Sequence, residues 1–222
     1  MARDEFQREL DALRDDVVRL GDVVSTRLRK AITALDSHDV SVAARIADAD
    51  SEINERYLDL EQDCIDLFAL QQPVAGDLRF VAASFKILTD LERIADLAAN
   101  LAAYVVAAED ETFPDLGLID LGTTAVGMLD DALTAYEKGD STRCRAIADS
   151  DDDLDGRCER VAQQVIRHLV ERDPDADELE PLLTDVTRVL LTIRDIERIG
   201  DHAVNIAART LYMAENDDAL IY

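Results

Sequence analysis

The sequence has few residues that interrupt helices. Only 8 of its 222 residues are glycine and 4 are proline, about half the share of an average protein. That scarcity argues against a turn-dense architecture and for long helices. Cysteine is sparse too: Cys64, Cys144 and Cys158 form no CxxC pair, and an odd number leaves one without a partner. This excludes a disulfide scaffold and suits a reducing cytoplasm, where all three read as small buried apolar residues. Long apolar runs are missing. The longest, Leu97 to Ala108, spans 12 residues and contains Asn100, against ~20 needed to cross a bilayer. Residues 1–5 (Met-Ala-Arg-Asp-Glu) lack an apolar core, so no secretory signal is expected. Positive charge is also short: 23 Lys and Arg face 49 Asp and Glu, a formal net charge of −26. A phosphate backbone would repel such a surface, which excludes an unaided nucleic-acid binder. The expectation is a cytoplasmic protein with no membrane insertion and no direct nucleic-acid contact.

The acidity has a texture. Asp outnumbers Glu 34 to 15, and Arg outnumbers Lys 20 to 3. Asp is the poorer helix former, so helix propensity did not select it. Self-repulsion at this charge destabilises a fold in dilute buffer and is screened by salt. A salt-rich, halophilic habitat is therefore expected. Apolar residues still make up 48% of the chain, so this is not a disordered acidic tail.

Apolar spacing predicts helices throughout. Phe6, Leu10, Leu13, Val17, Leu20, Val24, Leu28, Ala31 and Leu35 form one stripe at three- and four-residue steps, the signature of a long amphipathic helix. Residues 36–39 (Asp-Ser-His-Asp) break it and offer an N-cap. A second stripe runs from Val42 to Leu67 and ends at Gln71-Gln72-Pro73; a third runs from about Val74 to Ala108. Further helices are predicted near 116–138, 141–172 and 178–214, punctuated by Gly139 and Pro174. No segment alternates convincingly enough to suggest a strand.

The chain repeats itself. Residues 90–102 (DLERIADLAANLA) match residues 195–207 (DIERIGDHAVNIA) at eight of thirteen positions, offset by 105. Residues 46–50 match residues 147–151 at an offset of 101, as does Pro73 with Pro174. The reading is all-α: two tandem three-helix bundles, residues 1–110 and 111–222, related by a pseudo-twofold internal repeat.

The repeat carries acids in register. Glu92, Asp96 and Asn100 lie at i, i+4 and i+8 on one helix face, and Glu197, Asp201 and Asn205 do the same in the second copy. Asp50 and Asn54 on the preceding helix are matched by Asp151 and Asp155. Folding back at each proline brings Asp50 level with Asp96 and Asn54 level with Glu92. Likewise Asp151 comes level with Asp201, and Asp155 with Glu197. Like charges so placed repel, and either solvent screens them or a hard cation such as Mg, Ca, Mn or iron neutralises them. A solvated acidic face gives the same pattern, and spacing alone does not separate the two. The ladders lie away from the apolar stripe, so any such site is expected to be open. Arg93 and Arg198 read as partners of nearby acids. Nothing resembles a nucleophile–base pair, a Gly-rich phosphate loop or a Glu-x-x-His motif, so no catalytic residues are assigned.

Residues 70–79 (LQQPVAGDLR), 90–96 (DLERIAD) and 196–202 (IERIGDH) together make the sequence resemble the PhoU family of accessory regulators of phosphate transport, over nearly the whole chain. The resemblance implies a cytoplasmic, often dimeric, non-enzymatic negative regulator of phosphate uptake and signalling. It implies protein–protein contact with the ATPase of the phosphate ABC transporter and, in bacteria, with a sensor kinase. It further implies metal ions, iron or zinc with Mn or Mg as further candidates, held at E(D)xxxD motifs. By position the ligands are Asp50, Asn54, Glu92 and Asp96, then Asp151, Asp155, Glu197 and Asp201, with Asn100 and Asn205 ranked lower. Asn54 stands where the second copy has Asp155, and Ala95 where it has Gly200, which weakens the first site. Rival readings are an accessory protein of a low-affinity phosphate transporter, a metal-dependent phosphohydrolase, and a purely structural helical protein.

Overall fold

The computed structural model describes residues 2–47, 51–70, 74–108, 116–172 and 176–221. They form seven helices: α1 (Ala2–Ser37), α2 (Val40–Ala47), α3 (Ser51–Leu70), α4 (Ala75–Val106), α5 (Leu118–Lys138), α6 (Ser141–Arg172) and α7 (Ala176–Glu215). Among the described residues there is no strand. The stripe from Val42 to Leu67, predicted as one helix, is seen as α2 and α3, with residues 48–50 outside the described set. Its counterpart α6 runs unbroken for 32 residues, about 48 Å at 1.5 Å per residue.

The helix ends follow from local chemistry. After α1 the chain turns through His38, whose φ of 50° is left-handed. Asp39 then caps α2, its Oδ1 accepting the Val42 N–H at 2.9 Å. The end of α5 is a glycine cap. Gly139 adopts φ 65° and donates to the Ala135 carbonyl, a conformation that carries no Cβ penalty in glycine. Asp140 follows and caps α6 through the Arg143 N–H at 3.1 Å. Pro181 lies inside α7 near its start, where it removes one backbone donor.

Helices α1 to α4 pack as one group and α5 to α7 as another. The predicted stripe of α1 is buried from Phe6 to Ala31. The two groups do not keep separate interiors. Helix α4 packs on α7, and α1 on α5, so one continuous apolar core runs through both. The α1–α5 contact is reciprocal. A Cβ on Gly21 would lie 2.2 Å from Leu133, and a Cβ on Gly122 would lie 2.4 Å from Ile32. Gly21 and Gly122 are 101 residues apart, as are Ile32 and Leu133. This is the relation a local twofold axis demands.

Polar bonds join the same surfaces. Ser25 donates to Asp130 at 2.6 Å, and Arg29 also pairs with Asp130. Ser84 and Tyr136 share a buried 2.7 Å hydrogen bond. Between α4 and α7, Tyr104 donates to Asp195 at 2.9 Å, while Asp90 faces His202 Nδ1 at 2.9 Å and accepts from Asn205 at 3.3 Å.

Candidate functional site

Asp151 and Asp155 sit one turn apart on α6, and Glu197 and Asp201 one turn apart on α7. Leu154 and Cys158 on α6, with Ile196 and Ile199 on α7, are buried. These apolar anchors fix the rotation of both helices, which leaves the intervening acids along their seam.

Three of these carboxyls, Asp151, Asp155 and Glu197, are raised. Burial pushes the Asp151 carboxyl up to about 7, and the neighbouring charges of Asp155, Asp201, Asp152 and Glu197 add to it. Asp155 and Glu197 are also raised, first by burial; Asp201 and Asp152 add to Asp155, and Asp155 and Asp201 add to Glu197. Charges on α7 thus act on acids of α6 and the reverse. Asp201 is exposed and Glu197 half-buried. Asp151 and Asp155 are only half-exposed, and each turns one Oδ1 into the protein with no hydrogen-bond partner. A buried carboxylate oxygen without a donor is costly.

Gly200 makes room for this inward turn. A Cβ there would come within 2.8 Å of both Asp151 Oδ1 and Leu154 Cδ2. The equivalent position in the first repeat is Ala95, which is buried. Beneath the second cluster lies Cys158, whose thiol is pushed up to about 12, first by burial and then by Glu197 and Asp155. It stays protonated at neutral pH. The other two cysteines are buried and likewise raised, which agrees with their reading as core residues.

The first repeat differs. Asp50 lies outside the described residues, as do Gln71, Gln72 and Pro73. Asn54, Glu92 and Asp96 are half-buried. Arg93 approaches Glu92 at 3.4 Å and Asp96 at 3.7 Å. Tyr57 donates to Glu61 close by, and its phenol is raised, first by burial. Of the lower-ranked positions, Asn100 is exposed and Asn205 is turned to Asp90 on α4. Asn205 therefore serves the joint between repeats.

Among the described residues, no group of three or more His, Cys, Asp or Glu side chains is arranged to hold an ion as it stands. Four like charges on one seam hold apart. The chemistry of the second cluster nevertheless fits a hard cation. Its donors are all oxygen, two of them are buried without a donor, and the small residue beneath leaves space for a carboxylate.

The sequence reasoning missed two buried partners. Asp195 is wholly buried and Asp90 nearly so, and both bond across to the other repeat. Their signal was present, since both acids begin the duplicated segment. His202 supplies one of those bonds.

Among the described residues, no helix is long and apolar enough to cross a membrane. The family model described as "PhoU domain" matches twice, over residues 17–105 and 118–210. The phosphate-specific transport system accessory protein PhoU of Serratia marcescens is 32% identical over 96% of this chain and 86% of its own length. The homologous accessory protein of Pseudomonas putida is 28% identical over 96% of this chain and 82% of its own. The crystal structure of PhoU from Pseudomonas aeruginosa superposes with a TM-score of 0.88 at 26% identity, covering 96% of this chain and all of that one. That of the phosphate transport system regulatory protein PhoU from Streptococcus pneumoniae gives 0.86 at 28% identity, covering 96% and 98%. With both repeats matched and the fold shared end to end, the chain belongs to the PhoU family.

Proposed function

We propose that this protein is a cytoplasmic, non-enzymatic regulator of phosphate transport that restrains uptake by docking on the ATPase of a phosphate ABC transporter. Its relatives are named accessory or regulatory proteins of phosphate transport systems. The observation that carries the reading is the match of both repeats to the family model. A homodimer is the expected assembly, and a sensor kinase a second partner.

The acidic seam is the proposed metal site, held by Asp151, Asp155, Glu197 and Asp201. Iron or zinc, or alternatively Mn or Mg, would bring the positive charge that offsets mutual repulsion along the seam. The chain's own part is to position the oxygens. Packing of Leu154, Ile196 and Ile199 fixes the two helices, and Gly200 admits Asp151. Binding would draw α6 and α7 together and set the shape of an acidic face for the partner.

The test is complementation. Cells of the source organism lacking this protein are given the wild type or a Glu197→Ala/Asp201→Ala variant, and phosphate uptake is measured under phosphate excess. Wild type should restrain uptake, and the double variant should fail at equal protein level. Uptake that is indifferent to the wild-type protein overturns the regulatory role. Full restraint by the variant removes the acidic seam from it.

A further inference from the structure

The two repeats carry the same segment start, Asp90-Leu91-Glu92-Arg93 and Asp195-Ile196-Glu197-Arg198, yet the arginine does different things in each. In the first repeat Asp90 is taken up from across the joint by His202 and Asn205. Arg93 instead reaches Glu92 at 3.4 Å and Asp96 at 3.7 Å, so a guanidinium lies on the acidic seam. In the second repeat Asp195 is wholly buried and receives one neutral donor from across the joint, the Tyr104 hydroxyl at 2.9 Å. That phenol is held up at about 12, first by burial and then by its bond to Asp195, so it remains a donor. Two arginines gather at Asp195, Arg194 at 3.0 Å and Arg198 at 3.9 Å. Among the described residues neither Glu197 nor Asp201 makes an ion pair.

We propose that the two acidic seams are not equivalent cation sites: Asp195 holds Arg198 away from Glu197 and Asp201 and leaves the second seam able to take a cation, while Arg93 already offsets part of the charge on the first. The inference rests on the metal reading above and goes beyond it, because it names the residues that decide which repeat is loaded. Asp195 acts here as a positioning residue, one turn before Arg198 on α7. A guanidinium on the seam opposes a cation because it repels the incoming charge. The donor supplied by the opposite repeat, a histidine and an asparagine in one case and a tyrosine in the other, selects where each arginine rests.

The test is titration of the purified full chain with Mn2+ by isothermal calorimetry. Wild type should bind one ion tightly, and Glu197→Gln should abolish that event. Arg93→Gln, at an exposed position, should strengthen binding at the first seam by about tenfold and bring a second tight event. Arg198→Gln should leave the tight event within about twofold. Asp195→Asn should weaken it by about tenfold, and Asp195→Asn/Arg198→Gln should restore it. A general structural defect at Asp195 would not be repaired by removing an exposed arginine. If Asp195→Asn does not fold, the contrast between the two single arginine variants decides. Two equal tight sites in wild type, or a gain from Arg198→Gln matching that from Arg93→Gln, overturns the inference and spares the metal reading. No Mn2+ binding at any concentration tested overturns both.

Discussion

Gly21 on α1 lies directly against Leu133 on α5, so close that a Cβ on the glycine would sit 2.2 Å from Leu133 Cδ2. The reciprocal pair, Gly122 against Ile32, repeats the contact from the other side. Both aliphatic partners are buried, and a close-packed interior gives them little room to move. Gly21→Ala and Gly122→Ala should each destabilise the fold by about 1–3 kcal/mol in urea denaturation. Helix propensity alone predicts the opposite, a gain of up to ~1 kcal/mol. Gly127, also inside α5, has nothing within 4 Å of a built Cβ, so Gly127→Ala should show that gain. A stabilised Gly21→Ala would mean that α1 and α5 are not in close contact.

This joint shows where sequence reading stops. The stripe of α1 fixes which face is buried because 3.6-residue periodicity is local. The caps at Asp39 and Gly139 are local too. The acids of the second seam drew notice in the sequence because the chain carries their pattern twice. Which surfaces of the two repeats meet is not a local property. Asp195 looked like one more acid in a chain of 49, yet it is buried because Tyr104, 91 residues away, reaches it. The inward turn of Asp151 depends on Gly200, and spacing gives helix faces but not side-chain rotamers.

Asp90 ties two side chains of α7 to α4. Removing it leaves His202 and Asn205 half-buried without their acceptor, a loss of about 1–3 kcal/mol. Asp90→Ala should lower the melting temperature accordingly. Asn100→Ala, at an exposed position on the same helix, should change stability by no more than ~0.5 kcal/mol. Equal effects from the two would remove the Asp90 bonds from the account of how the repeats are joined.

A net charge of −26 on 222 residues makes folding work against self-repulsion, which salt screens over a Debye length of about 10 Å at 0.1 M and 3 Å at 1 M. The melting temperature should rise steadily with KCl between those concentrations. Replacing KCl by an equal osmolality of sucrose should give a smaller rise, because sucrose does not screen charge. A melting point indifferent to KCl would refute the halophilic reading.

The acidic seam predicts a signed pH dependence. The Asp151 carboxyl titrates near 7 in the folded protein, against 3.8 ordinarily, so the folded state holds a proton that the unfolded chain has given up. Below about pH 4 the group is protonated in both states and costs nothing. As pH rises towards 7 the unfolded state gains from ionisation while the folded state does not, and stability falls; above 7 the loss is complete. Asp155 and Glu197 are shifted in the same direction. Asp151→Asn, nearly isosteric and never charged, removes this group's share. The variant should melt with wild type near pH 4, exceed it increasingly between 4 and 7, and hold a constant lead above 7. Thermal melts at half-unit steps from pH 4 to 8 read this directly. A lead that is the same at every pH would show that Asp151 is not held among its neighbours' charges, and would take the second seam out of consideration as a place where a cation is needed.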